Sequence, residues 1–314
     1  MTSAKGTSTT VSPLPLQAFE KLGREALQLS DKTDDTYLRA WVLFILAWDY
    51  LMRGLTREAR QYGDRLLTAA RNHGDPRATA LGLLLLGWVD IVDERYGHAV
   101  AHADECIRTA LTPMDRSIGM QVKGVALALT GKLDEGLAIL RPLRNDFLAN
   151  DWRYNLSGTD LALGIATVLA GAFSQGVRLC EKFVHEQEAA GYQMVADWGR
   201  INLAEVYLEM LSSAQRPPLQ MILRNVVFLL RVKFSGRARI KRLLQKAGEN
   251  TQFSERGILR ARVEFGLARL YCLQRRTVLA KDHLARAKRL AEQLCADPML
   301  ARINKLEQAF AGRS

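Results

Sequence analysis

Apolar residues recur along the chain at spacings of three and four, and strict alternation of apolar and polar positions is nowhere sustained. The predicted elements are therefore amphipathic helices, not strands. A longer rhythm lies over the helical one. In five segments a small residue late in one helix is followed twelve positions on by another: Ala47 and Ala59, Gly87 and Ala99, Gly124 and Gly136, Gly164 and Gly176, Ala268 and Ala280. Ala204 repeats the first half alone, before Arg216-Pro217-Pro218 interrupts the text. The first-helix positions fall at 47, 87, 124, 164, 204 and 268, so the gaps are 40, 37, 40, 40 and 64. Two antiparallel helices approach closely only where one offers no side chain, and a small residue on each lets the backbones meet. The pattern predicts an all-α solenoid of about six helix pairs.

The expected units occupy about 36–74, 77–111, 114–150, 157–191, 195–256 and 257–296, the fifth being enlarged. Residues 1–14 read as a disordered tail and 15–311 as the repeat array. A helix near 15–30 resembles half a repeat, as a cap or the remnant of an upstream unit, and 298–310 reads as a capping helix. Pro76, Pro113 and Pro298 stand where second helices should stop.

Composition adds little to the fold but narrows the class. With 48% apolar and 25% charged residues among 314, the chain is globular. Four cysteines without a CxxC pair point to reduced thiols and a cytoplasmic location. The longest apolar stretches, Trp41–Trp48, Ala78–Val89 and Leu161–Phe173, fall short of the roughly 20 residues a bilayer needs. The first residues lack the apolar run of a secretory signal.

Catalytic chemistry is hard to find. Phosphate-loop, GxGxxG, GxSxG and HExxH motifs are all missing. His98, His102 and Cys106 share a helix face at metal-ligand spacing, but Cys106 also occupies a small packing position. Glu205 and Glu209 form an i, i+4 carboxylate pair, for which a solvated helix face is the default. The expectation is a chain without catalytic residues, metal or cofactor.

The leucine before the small position (Leu46, Leu86, Leu163, Leu203, Leu267) and the tyrosine three after it (Tyr50, Tyr207, Tyr271) resemble the tetratricopeptide pattern. The period of about 40 departs from that family's 34. The resemblance implies a right-handed superhelix whose first helices line a concave groove. Carried onto this sequence, the groove positions are Trp41, Phe44, Trp48 and Leu51 in the first unit and Leu81, Leu84, Trp88 and Ile91 in the second. In the fifth they are Trp198, Ile201, Glu205 and Leu208. Such a face suits an apolar helix or peptide anchored on tryptophan, or a small apolar ligand. The competing reading is that a tight superhelix closes on itself and makes these rings core.

Net charge is +11, and its excess is local. Between Met210 and Gly248 there is no Asp or Glu, but there are nine cations: Arg216, Arg224, Arg231, Lys233, Arg237, Arg239, Lys241, Arg242 and Lys246. The segment reads as two helices split at Ser235–Gly236, with Val226, Val227, Leu229, Leu230 and Phe234 packed inward and the basic residues facing out. An acidic protein surface, anionic lipid and nucleic-acid phosphates are the candidate partners, nucleic acid ranking last, and a solvated insertion without a partner is the competing reading.

This segment also carries a family resemblance. Pro217-Pro218-Leu219, Leu223-Arg224-Asn225, Phe228-Leu229-Leu230-Arg231-Val232 and Gln252-Phe253 are part of it. So are Gly266-Leu267, Leu270-Tyr271, His283-Leu284 and Pro298-Met299-Leu300-Ala301-Arg302. Over about 195–310 these resemble the C-terminal repeat region of multidomain bacterial class III adenylate/guanylate cyclases. The resemblance implies a sensing or coupling role. The cyclase and AAA ATPase domains of that family have no counterpart in the sequence, so its catalytic residues cannot be carried over. The expected function is a non-catalytic protein-interaction or signal-coupling module. The alternatives are the regulatory part of a nucleotide cyclase and a small-ligand sensor.

Overall fold

The structure, a computed structural model, describes residues 15–33, 35–212 and 219–311. The expected tail 1–14, Arg216 and the Pro217–Pro218 interruption lie outside the described residues, as does the side chain of Arg224. Fourteen helices and no strand are described. A first helix, α1 (Leu16–Ser30), precedes six helix pairs. The pairs are α2 (Thr36–Met52) with α3 (Thr56–Asn72), α4 (Pro76–Val92) with α5 (Tyr96–Thr109), and α6 (Pro113–Leu129) with α7 (Leu133–Ala149). They continue as α8 (Arg153–Leu169) with α9 (Phe173–Ala189), α10 (Gln193–Ser212) with α11 (Leu219–Gly248), and α12 (Ile258–Leu273) with α13 (Thr277–Gln293). A last helix, α14 (Asp297–Ala311), closes the array. Consecutive helices pack on one another, and each first helix also touches the next first helix. First helices thus line the inside of the solenoid and second helices its outside.

The small-residue rhythm acts as its spacing suggested. Ala47, Ala59, Ala99, Ala268 and Ala280 are fully buried. A methyl group on Gly136 would stand 2.8 Å from the Gly124 carbonyl oxygen, so the two backbones nearly touch. In five of the six pairs the turn between the two helices is built alike. The residue seven after the first small position has positive φ: Gly54 (80°), Glu94 (60°), Gly131 (89°), Gly171 (86°) and Arg275 (59°). The next amide reaches back five residues, as in Leu55 N–H to the Tyr50 carbonyl (2.8 Å) and Lys132 N–H to the Leu127 carbonyl (3.0 Å). This left-handed cap satisfies carbonyls that a helix end would otherwise orphan. Pro76 and Pro113 open the following helices, where no N–H is needed, behind caps from Asp75 and Thr112.

Three expectations need correction. The fourth pair begins at Arg153, not 157, because the turn after α7 is as short as the others. The fifth unit is a complete pair. Its second helix, α11, runs unbroken for 30 residues through Ser235 and Gly236, against 14 to 17 for the other second helices. Gly236 is accommodated where α11 passes Leu211 of α10, whose Cδ1 would lie 3.3 Å from an added methyl. Tertiary contact there outweighs the roughly 1 kcal/mol that glycine costs a helix.

The array curls until its ends meet. Ser254 and Ile258, beside the start of α12, donate their amides to the Arg53 and Gly54 carbonyls (3.0 and 2.8 Å). The Trp198 indole on α10 donates to the Met52 carbonyl (2.9 Å). Gly54 is favoured by its φ of 80° and set apart by close approach, because an added Cβ would lie 3.1 Å from the Leu259 amide nitrogen.

Candidate functional site

The inner face divides into an aromatic row and a filled interior. Along α2, Tyr37, Trp41, Phe44 and Trp48 follow the helical repeat, so their rings line up on one side. Trp41 meets Phe44 edge-on at 5.5 Å, and Phe44 stacks on Trp48 at 5.7 Å. Trp48 meets Tyr154 of α8 at 6.1 Å, across the solenoid. The row stays partly open: Tyr154 is 58% exposed and Trp41 38%, with Leu38 and Ile45 exposed beside them.

Deeper in, the space is occupied. Leu84 is buried, and Trp88 packs against three groups of buried residues, contributed by α2 with α3 and α4, by α6 with α7 and α8, and by α4 with α5 and α6. Ile201, Leu208 and Leu51 are core. Trp198 is held by Met52. Tetratricopeptide register therefore finds the inward side correctly, but closure of the superhelix turns much of that side into packing.

Glu205 does not lie on a solvated face. The Arg262 guanidinium grips it with two bonds (2.9 and 2.6 Å) and also reaches the Asn202 side chain (3.0 Å). Beside them Arg302 of α14 pairs with Glu94 in the α4–α5 turn. Burial disfavours the Glu205 carboxylate, but Arg262 and the neighbouring arginines outweigh it and hold its pKa below the usual value. For Glu94 burial prevails over Arg302 and Arg262, and its pKa is raised. Burial, with Glu94 beside it, lifts Tyr96 to about 12. Glu209 pairs separately with Arg269 (2.8 Å), so the two glutamates do not act together. The cluster is a polar seam joining the second, fifth and sixth units to α14.

The basic segment departs most from expectation. On α11 the buried residues among those described from Asn225 onward are Asn225, Val232, Gly236, Ile240, Leu244 and Ala247. Val226, Val227, Leu230 and Phe234, expected inside, are exposed, Phe234 at 82% and Val227 at 78%. The continuous helix explains this. Without a break at Ser235, one face runs the whole length, and the packed line is Val232–Gly236–Ile240. Two cations are engaged: Arg239 with Glu181 and Lys246 with Glu188. Arg231, Lys233, Arg237, Lys241 and Arg242 make no ion pair among the described residues.

The His98–His102–Cys106 spacing forms no metal cluster, and among the described residues no group of three possible ligands converges. His102 Nδ1 instead bonds Asp90 (2.9 Å), which is fully buried and also receives Arg60 (2.7 Å) and Arg95 (3.1 Å). Burial opposes the Asp90 carboxylate, but His102 and Arg60 outweigh it and lower its pKa. Burial pushes the Cys106 and Cys180 thiols up to about 12, so neither is a ready nucleophile. Among the described residues, no helix is long and apolar enough to cross a membrane. No protein-family model matches the chain, and no curated protein matches it.

The left-handed turn seven residues after each small position was missed in the sequence, although Gly54, Gly131 and Gly171 marked it. The polar seam was also missed. Nothing in the text of Glu94, Arg262 and Arg302 ties residues so far apart.

Proposed function

We propose that the chain is a non-catalytic interaction and signal-coupling module whose aromatic row receives an apolar segment of a protein partner. The observation that carries this reading is the run of rings from Trp41 through Phe44 and Trp48 to Tyr154, built from two units and left partly open at both ends. Rigid aromatic side chains of this kind anchor interfaces at low entropic cost. The seam of Glu94, Arg302, Arg262 and Glu205 supports the coupling half of the reading, because it ties distant units into one body. A partner that strains one end is thereby felt at the other.

A double variant tests the row. Trp41→Ala with Tyr154→Ala is expected to abolish capture of partner by affinity pull-down while leaving the melting temperature close to wild type. Unchanged capture, or collapse of the fold in both single variants, would sink the reading. A second reading, a regulatory part working with a nucleotide cyclase, draws on the resemblance over about 195–310. It expects no cyclase turnover from the purified chain alone, and turnover would overturn both readings.

A further inference from the structure

Helix α11 carries the two most exposed large apolar side chains among the described residues, Phe234 and Val227, with Leu230 half exposed between them. Their spacing of three and four sets them in one line along the helix, opposite the packed line Val232–Gly236–Ile240. On the same helix, by register, Arg231 and Arg242 flank that line on one side and Arg237 on the other, and Lys241, seven residues after Phe234, continues it. None of these four cations has an ion-pair partner among the described residues. No acidic residue occurs anywhere from Met210 to Gly248. Outside this segment 35 basic residues nearly balance 33 acidic ones, so the excess positive charge is concentrated here.

Shape decides which anionic surface fits. An acidic amphipathic helix docks in an apolar groove walled by two elements. Here the exposed apolar side chains come from one helix, on the outside of the solenoid. A cavity of about 140 Å³ beside them, between α9 and α11, is too small for a helix and has Arg178, Arg231 and Arg239 in its lining. A ridge of three apolar residues flanked by free cations matches a bilayer surface instead. Apolar side chains enter the boundary between headgroups and acyl chains, and arginine and lysine meet the phosphates.

We propose that the outer face of α11 binds an anionic lipid surface, with Val227, Leu230 and Phe234 inserting and Arg231, Arg237, Lys241 and Arg242 contacting lipid phosphates. The stripe is short, so neither half suffices alone, and binding needs both signals. This goes beyond the aromatic row, which faces the solenoid interior and is unaffected by the substitutions below.

The test is co-sedimentation of the full chain with vesicles of phosphatidylglycerol and phosphatidylcholine, and with vesicles of phosphatidylcholine alone. The wild type is expected to pellet with the first and not the second, and to be released by salt. Arg237→Gln, Lys241→Gln and Arg242→Gln together should weaken partitioning by roughly 100-fold, about fivefold for each cation removed. Leu230→Ser with Phe234→Ser should weaken it while keeping the residual salt dependence. Leu230, Phe234, Arg237 and Arg242 are exposed and Lys241 is half-buried, and a thermal melt confirms that the variants fold. No pelleting with anionic vesicles, equal pelleting of the variants, or capture only by an acidic helical peptide would each overturn the proposal.

Discussion

Backbone contact makes single atoms matter at the small positions. Gly136→Val would drive side-chain atoms into the Gly124 carbonyl and the Ala128 amide, both 2.8 Å from an ideal Cβ. A loss of roughly 3 kcal/mol in urea unfolding is expected. Gly97→Ala, where nothing lies within 4 Å, should change stability by less than about 1 kcal/mol. Asp90 is the sharpest electrostatic test. Its folded pKa is depressed, so its contribution is fully present above the unfolded carboxylate value of 3.8 and is lost as pH falls through the folded value. Asp90→Asn should cost roughly 2 kcal/mol at neutral pH, because His102 loses its anion and Arg60 and Arg95 keep only Asp93. Measured across pH, the gap between wild type and variant should narrow only below that carboxylate value. Thiol labelling offers a third check. Cys295, exposed, should react first, while Cys106 and Cys180 stay unreactive until unfolding.

At the scale of the element, α11 is the exception that defines the molecule. Proline inside a continuous helix removes an amide donor and clashes with the preceding turn, whereas at a helix–helix break it is tolerated. Ser235→Pro should therefore destabilise by about 3 kcal/mol in denaturant melts. A neutral result would restore the two-helix reading. The repeated turns show the opposite behaviour. Five of them use one left-handed residue and one long back-bond, whether that residue is glycine, Glu94 or Arg275. The turn is imposed by the pair geometry, and glycine merely makes it cheaper.

For the whole molecule the decisive fact is closure. Residues near Met52 and near Ile258 are joined by backbone hydrogen bonds, and Trp198 adds one from its side chain. Trp198→Phe keeps most of the ring and removes the donor, at a cost of about 1 kcal/mol. Hydrogen exchange should then quicken at the Ser254 and Ile258 amides, which bond the adjacent carbonyls, more than at amides within α6 or α7. Uniform acceleration would mean that closure is not a separate element. Closure also explains why a register taken from an open superhelix located the inner side yet misjudged its content. Trp41 and Phe44 lie on the aromatic row, whereas Leu84 and Ile201 are core.

The number of helix pairs, their order and their close approach were written locally, in the apolar period and in small residues twelve apart. Both follow from helix geometry within about forty residues, a range over which the chain has few alternatives. Which faces would remain open was not local. The exposed line on α11 depends on that helix running through Ser235, and the partners of Glu205 and the meeting of Gly54 with Leu259 depend on the curvature accumulated over six pairs. Small rotations between neighbouring units add along a solenoid, and no short stretch of sequence records their sum. Only the tertiary structure decided that the array closes, and with it which aromatic and basic residues are left to meet a partner.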